Sequence, residues 1–204
     1  MTVEVMGIGA SGMAKYQLKE IGNSYSITKP PTQGSATVSD TGLVTYTPLQ
    51  SHFPTSATDT IGIEITDGGV STTTTTTLTV KLQYDPLLPF QWHIQNTGQS
   101  AFASTSGSAG NDVNAAGAWA AGITGKDVLV NVVDTGLEIG HEDLKAQVLP
   151  GGSYNFLDGT NDPTATQADA KNGDHGTSVA GIIAATAFNG VGGRGIAYGA
   201  KLIG

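Results

Sequence analysis

The sequence predicts two folds in succession. Residues 1–83 read as an all-β sandwich, and residues 84–204 as an α/β domain with a parallel sheet, truncated. Three observations carry this. Before residue 83, apolar residues alternate singly with polar ones, the period of a strand buried on one face. After it, Val128–Val133 is nearly continuously apolar, the pattern of a strand covered on both faces. Between them lies Asp85-Pro86-Leu87-Leu88-Pro89, a linker with two prolines.

In the first part, Val44 and Tyr46 alternate with Thr45 and Thr47, and Pro48 is expected to end that run. Ile61, Ile63 and Ile65 alternate with Gly62, Glu64 and Thr66, and Leu78, Val80 and Leu82 repeat the pattern. Ser39-Asp40-Thr41-Gly42 and Asp67-Gly68-Gly69 supply turn chemistry between these runs. Thr72–Thr77 is composed only of threonine; β-branched residues on an exposed strand explain it better than a glycosylated stalk does.

In the second part, Asn96–Gly110 is rich in Gly, Ser and Thr and reads as a surface loop. Asp112 is placed to cap a short helix carrying Val113, Ala116 and Trp119 on one side. The strand Val128–Val133 leads into Asp134-Thr135-Gly136. His175–Ala187, with small apolar residues, predicts a helix packed closely on a sheet; Gly190–Gly195 predicts a glycine-rich loop; Lys201-Leu202-Ile203 predicts the start of a second strand.

Composition excludes several chemistries. The chain has 9 basic and 17 acidic residues, net −8, divided as −2 over residues 1–83 and −6 over residues 84–204. No basic patch marks a nucleic-acid partner or an anionic membrane surface. No apolar run reaches the ~20 residues of a transmembrane segment. With no cysteine there is no disulfide, thiolate zinc site or cysteine nucleophile. Residues 1–25 lack the pattern of a signal peptide.

Asp134 stands at the carboxyl end of the apolar strand, where α/β sheets gather functional groups. Alone it is equally a turn residue before Gly136, and His175 alone is equally a capping or core histidine. Together they say more. Val130-Asn131-Val132-Val133-Asp134-Thr135-Gly136 and His175-Gly176-Thr177-Ser178-Val179-Ala180-Gly181 resemble two of the three signature segments of the subtilisin-like serine proteases, in the order Asp, His. Three stretches resemble the kexin and proprotein-convertase branch: Asp85–Asn96, Asp112–Trp119 followed by Gly122-Ile123-Thr124-Gly125, and Gly136–Leu144.

That resemblance implies a secreted serine endopeptidase acting on polypeptide substrates. Asp134 and His175 would be two members of its catalytic triad, and Asp174 would be a substrate-binding acid for basic side chains. Thr135 departs from the branch, which often carries a second Asp there. The nucleophile's Gly-Thr-Ser-x-Ala segment is not found after His175; Gly176–Ala180 looks like it but is the histidine segment itself. The expectation is therefore an N-terminal fragment of a peptidase domain, inactive alone. The branch's structural Ca²⁺ implies a ligand set of Asp85, Asp143, the carbonyl of Thr186, the Asn189 side chain, and the carbonyls of Val191 and Gly193. Such oxygen-only ligation suits a cation that takes about six to eight oxygens. His141-Glu142-Asp143 fits no standard zinc spacing, and His52 and His93 read as structural.

Gly42–Pro48 and Ile63–Gly68 resemble bacterial cadherin-like or immunoglobulin-like repeats. Their presence implies a bacterial cell-surface or secreted protein, with contact to a cell surface or matrix through the β domain. In that setting Asp67 reads as a turn residue. A different class fits the same residues: a non-catalytic adhesion or binding protein with a degenerate subtilase-like domain.

Overall fold

The structure, a computed structural model, describes the chain except residues 1–2, 9–12, 50–57, 68–71, 83 and 166–173. His52, Gly68, Gly69 and Gly173 lie outside the described residues. The chain forms two compact units, Met1–Gln83 and Tyr84–Gly204.

Among the described residues, unit 1 holds seven strands: β1 (Val3–Ile8), β2 (Ala14–Leu18), β3 (Ser24–Lys29), β4 (Gly34–Val38), β5 (Leu43–Pro48), β6 (Thr58–Asp67) and β7 (Thr72–Lys81). They form two antiparallel sheets, ordered β1-β2-β5-β4 and β3-β6-β7. Register matches the apolar alternation: Ala14 faces Tyr46, Tyr16 faces Val44, and Ile61 faces Leu78. These residues, with Leu18, Ile63, Ile65, Val80 and Leu82, form one buried cluster fed by both sheets. Pro48 ends its strand, as expected. It is the last residue of β5, opposite Gly34, where a missing N–H costs little. The Ser39–Gly42 turn is closed by Ser39, whose Oγ accepts from Leu43 N at 3.1 Å.

Asp59, in β6, is buried. Its Oδ1 accepts from Thr32 N (3.0 Å), Thr32 Oγ1 (3.1 Å) and Thr60 N (2.8 Å). Its Oδ2 accepts from Gln33 N (2.6 Å) and Tyr46 Oη (3.3 Å). One carboxylate thus pins the 32–33 segment to both sheets.

Unit 2 begins with a short 3₁₀ turn, Leu88–Phe90, followed by α1 (Ala115–Ala120), β8 (Leu129–Asn131), α2 (His175–Ala184) and β9 (Lys201–Ile203). Strands β8 and β9 are parallel, with Val130 beside Leu202, and Val148 bridges Leu202 in parallel from its other side. Ala180 and Ala184 of α2 are fully buried against Leu202, Leu137, Leu144 and Val132. Their small side chains let the helix approach the sheet.

Three expectations need correction. First, α2 ends at Ala184 instead of Ala187. Ala185 turns to φ −52°, ψ 139°, and Gly195 abuts the backbone of Ala184 so closely that no Cβ fits. Second, the buried side of α1 is Ala115 and Trp119. Val113 precedes the helix and is exposed. Asp112 is not the cap; it accepts from Asn96 N (2.9 Å) and Asn114 N (2.9 Å), tying two loops together. Third, the apolar run is covered on one face only. Val132 is buried, but Val133 is 82% exposed and Val128 and Leu129 about half exposed. Val132 packs in one cluster with Ala180, Ala184 and Leu202, and Val130 packs against it.

Candidate functional site

Asp134 lies three residues past β8 and His175 opens α2, so the fold brings the strand end and the helix start together. His175 Nδ1 lies 2.9 Å from both carboxylate oxygens of Asp134. A carboxylate on Nδ1 holds the ring proton there and leaves Nε2 as the basic nitrogen. Asp134 is itself fixed: Thr135 N donates to its Oδ1 at 2.6 Å. That bond first, and the imidazole second, hold its carboxyl below the usual carboxylate range. The His175 side chain is 65% exposed and that of Asp134 21%, so the pair offers the ring to an incoming group while its carboxylate is largely covered.

The close approach depends on glycine. A Cβ on Gly176 would strike Gly136 O and lie 2.9 Å from Asp134 Cβ. Gly136 adopts φ +137°, open to glycine and little else. Two threonines stitch the elements: Gly176 N donates to Thr135 Oγ1 (3.2 Å) and Glu138 N to Thr177 Oγ1 (3.0 Å). Neither role was visible in the sequence, where Thr135 stood out only as a departure from the family pattern.

Ser178 is not placed to react. Its N and Oγ both donate to Asp174 O, at 2.9 and 3.0 Å, within its own helix turn. Asp174 holds the N-cap position of α2, yet its carboxylate makes no capping bond.

The residues implied for Ca²⁺ converge. Asp85 and Asp143 are both buried, and Asn189 joins them: its N donates to Asp85 Oδ1 (3.3 Å) and its Nδ2 to Asp143 Oδ1 (2.7 Å). Gly193 N donates to Asp143 Oδ2 (3.2 Å), and Thr186 N to Asp143 O (2.8 Å). Val191 enters through its N, which donates to Asn189 Oδ1 at 2.9 Å. Gly192, at φ +52°, lies so close to Asp143 Oδ2 that a side chain there would strike it. Burial pushes the Asp85 carboxyl up to about 6, against the opposing pull of Arg194, and burial raises Asp143 as well.

Two desolvated carboxylates fit a hard, oxygen-seeking cation in donor type, with Asp85 already paired to Arg194; Thr186 Oγ1 is buried with no hydrogen-bond partner among the described residues. The arrangement differs from the expectation in two ways. Thr186, Val191 and Gly193, expected to offer carbonyl oxygens, enter the cluster through their N–H groups. The Asn189 amide presents nitrogen, not oxygen, to Asp143, and it must turn over to serve as a ligand. Among the described residues no group of three or more His, Cys, Asp or Glu forms a metal cluster. His141 serves locally, its Nδ1 accepting from Asp143 N at 3.1 Å.

Two residues here escaped sequence reasoning. Arg194 Nε donates to Asp85 Oδ2 at 2.8 Å, with both side chains essentially fully buried. Gln91 clamps the Arg194 backbone, accepting from its N (2.7 Å) and donating to its O (3.0 Å). The available signal was that Arg194 is the only arginine in a chain otherwise basic through lysine.

Residues 125–204 match the sequence model of the subtilase family. An extracellular serine protease of Aeromonas sobria is 48% identical over 120 residues, 59% of this chain and 18% of that protein. Neuroendocrine convertase 2 of Drosophila melanogaster is 39% identical over 120 residues, 59% of this chain and 18% of that protein. Furin of Rattus norvegicus is 38% identical over 118 residues, 58% of this chain and 14% of that protein. A crystal structure of the serine protease of Aeromonas sobria superposes with a TM-score of 0.53 at 47% identity, covering 59% of this chain and 20% of that one. The chain thus spans less than a fifth of the length of the curated relatives it matches. Unit 2 is a subtilase-like segment with serine-protease and proprotein-convertase homology. Among the described residues no helix is long and apolar enough to cross a membrane.

Proposed function

We propose that unit 2 is the Asp–His part of the catalytic domain of a secreted, kexin-like serine endopeptidase stabilised by calcium. The observation carrying this is the bond pair from His175 Nδ1 to the Asp134 carboxylate, both at 2.9 Å, at the junction of a parallel strand and a helix. Asp134 holds the imidazole in one tautomer and stabilises the imidazolium. His175 Nε2 takes a serine proton during attack on the peptide carbonyl and returns it to the leaving amine. The serine and the oxyanion donors belong to sequence outside residues 1–204, so the 204-residue chain is inactive alone. Asp174, beside the histidine with no capping bond, contacts basic substrate side chains. Asp85, Asp143, Asn189 and the carbonyls of Thr186, Val191 and Gly193 hold Ca²⁺, whose charge offsets the two buried carboxylates. Unit 1 is a cadherin-like or immunoglobulin-like β-sandwich that contacts a cell surface or matrix. The two sheets sharing one core support that reading.

A peptide-hydrolysis assay with an active-serine reagent tests the proposal. The short chain should neither turn over nor label. The longer protein should do both, and lose most of its rate on His175→Ala. Labelling of Ser178 would sink the assignment.

A further inference from the structure

Arg194 is the least explained group in unit 2. Its guanidinium is 1% exposed, and Nη1 and Nη2 have no hydrogen-bond partner among the described residues. Leaving buried N–H groups unpaired is costly unless something else meets the charge. Aromatic rings do so: Cζ lies 4.0 Å from the Phe188 centroid, 5.4 Å from that of Trp119 and 5.6 Å from that of Tyr198. Cation–π attraction at such distances is strongest where water is excluded. Phe188 reaches its place with φ +60°, a strained conformation for a bulky residue. The fourth side is the Asp85 carboxylate.

The same arginine carries the loop that the cation reading uses. Leu87 N donates to Gly192 O (2.8 Å), Gln91 clamps the Arg194 backbone, and Asn189 N caps Asp85. All join the segment around residues 85–91 to residues 189–194.

We propose that Arg194 is a resident cation of this site. It neutralises Asp85 from within the protein, holds the 189–194 loop in the absence of metal, and competes through Asp85 with a bound divalent ion. The competition rests on the calcium reading above; the resident-cation role does not. Arg194 thereby makes the fold here tolerant of calcium loss.

The test is a double-mutant cycle on the 204-residue chain, melted in chelator and in excess Ca²⁺. In chelator, Arg194→Met should lower the unit 2 midpoint by roughly 10 °C or more, since it strands a buried carboxylate. Adding Asp85→Asn to that variant should recover at least half of the loss, because a neutral pair needs no counter-ion. Calcium should then raise the midpoint of Arg194→Met more than that of the wild type. A double variant no more stable than Arg194→Met overturns the proposal and leaves Arg194 as packing volume. Equal calcium increments in wild type and Arg194→Met overturn the competition. If calcium moves no protein's midpoint, the calcium reading and the competition fall together, and the chelator cycle still decides for or against the resident cation.

Discussion

Asp59 offers the sharpest test of the packing in unit 1. Burial pushes its carboxyl up, but the bonds from Thr32, Gln33 and Thr60 more than reverse this, so it lies below the usual carboxylate value. Asp59→Asn keeps the volume but replaces one acceptor oxygen with a donor. The side chain then fails either Thr32 and Thr60 or Gln33 and Tyr46, since both of its oxygens now receive only donors. An unsatisfied buried donor costs ~1–3 kcal/mol, and two are stranded, so a loss of about 3 kcal/mol is expected. For a domain of this size that lowers the midpoint by roughly 12–24 °C. Tyr46→Phe removes only the 3.3 Å bond and should cost about 1 kcal/mol. The pH sign follows from the lowered value. The stabilisation is present above the unfolded carboxylate pKa and is lost as pH falls through the folded one. Calorimetry of the full chain should therefore show the unit 1 transition of wild type weakening in acid, with that component absent in Asp59→Asn. A variant melting within about 3 °C of wild type at pH 7 would refute the reasoning.

Gly176→Ala should separate Asp134 from His175, because the added methyl meets the Asp134–Gly136 turn; overpacking of this kind costs ~1–3 kcal/mol. In the full-length protease proposed above, kcat should fall by orders of magnitude with KM little changed, and unchanged turnover would refute the contact. For calcium, the Asp85 carboxyl at about 6 sets the window. Its folded value lies above the unfolded one, so in chelator its contribution to unit 2 stability declines as pH rises from about 4 through 6. Calcium needs the ionised form, so its increment, roughly 2.7 kcal/mol at 100-fold over Kd, should grow across the same window; melts at pH 4.5 and 7.5 with and without Ca²⁺ check both signs. Asp143→Ala should shrink that increment and speed hydrogen exchange at the Gly193 amide, which donates to its carboxylate, while the Thr186 amide, bonded to the backbone carbonyl of residue 143, stays protected.

What the sequence made legible was whatever periodicity or local spacing encodes. The alternations at Val44–Tyr46, Ile61–Ile65 and Leu78–Leu82 became buried faces because strand side chains must alternate. The pairing of Asp134 with His175 was legible because a strand end and a helix start are local features, and the fold brings them within 2.9 Å. Strands without strong alternation, such as Ser24–Lys29 and Gly34–Val38, were not, since their residues are only half-buried at a sheet edge. The helix end at Ala184 was missed because Gly195, eleven residues away, forces it by contact. Asp59 and Arg194 were missed for the same reason: their partners are 26–27 and 109 residues distant, beyond any local rule.

The two clusters of unit 2 are mechanically one. The stretch from Asp134 to Asp143 runs beside α2 and is tied to it at both ends. Asp134, Thr135 and Glu138 bond His175, Gly176 and Thr177 at the helix start; the Asp143 carbonyl bonds Thr186 N just past its end. Between them Leu137 and Leu144 lie fully buried against Ala180 and Ala184. Ten helical residues span about 15 Å, so the carboxylate that orients the histidine and the carboxylate offered to a cation sit at opposite ends of one rigid rod. Anything that fixes Asp143, whether calcium or the Asn189 and Gly193 donors, removes one way for the 134–143 stretch to slide along the helix. Sliding by even an ångström would break the 2.9 Å bonds at the other end. On the function proposed above, a cation at the Asp85–Asp143 cluster would act on catalysis by restraining the partner of the base, with no contact to the reacting atoms.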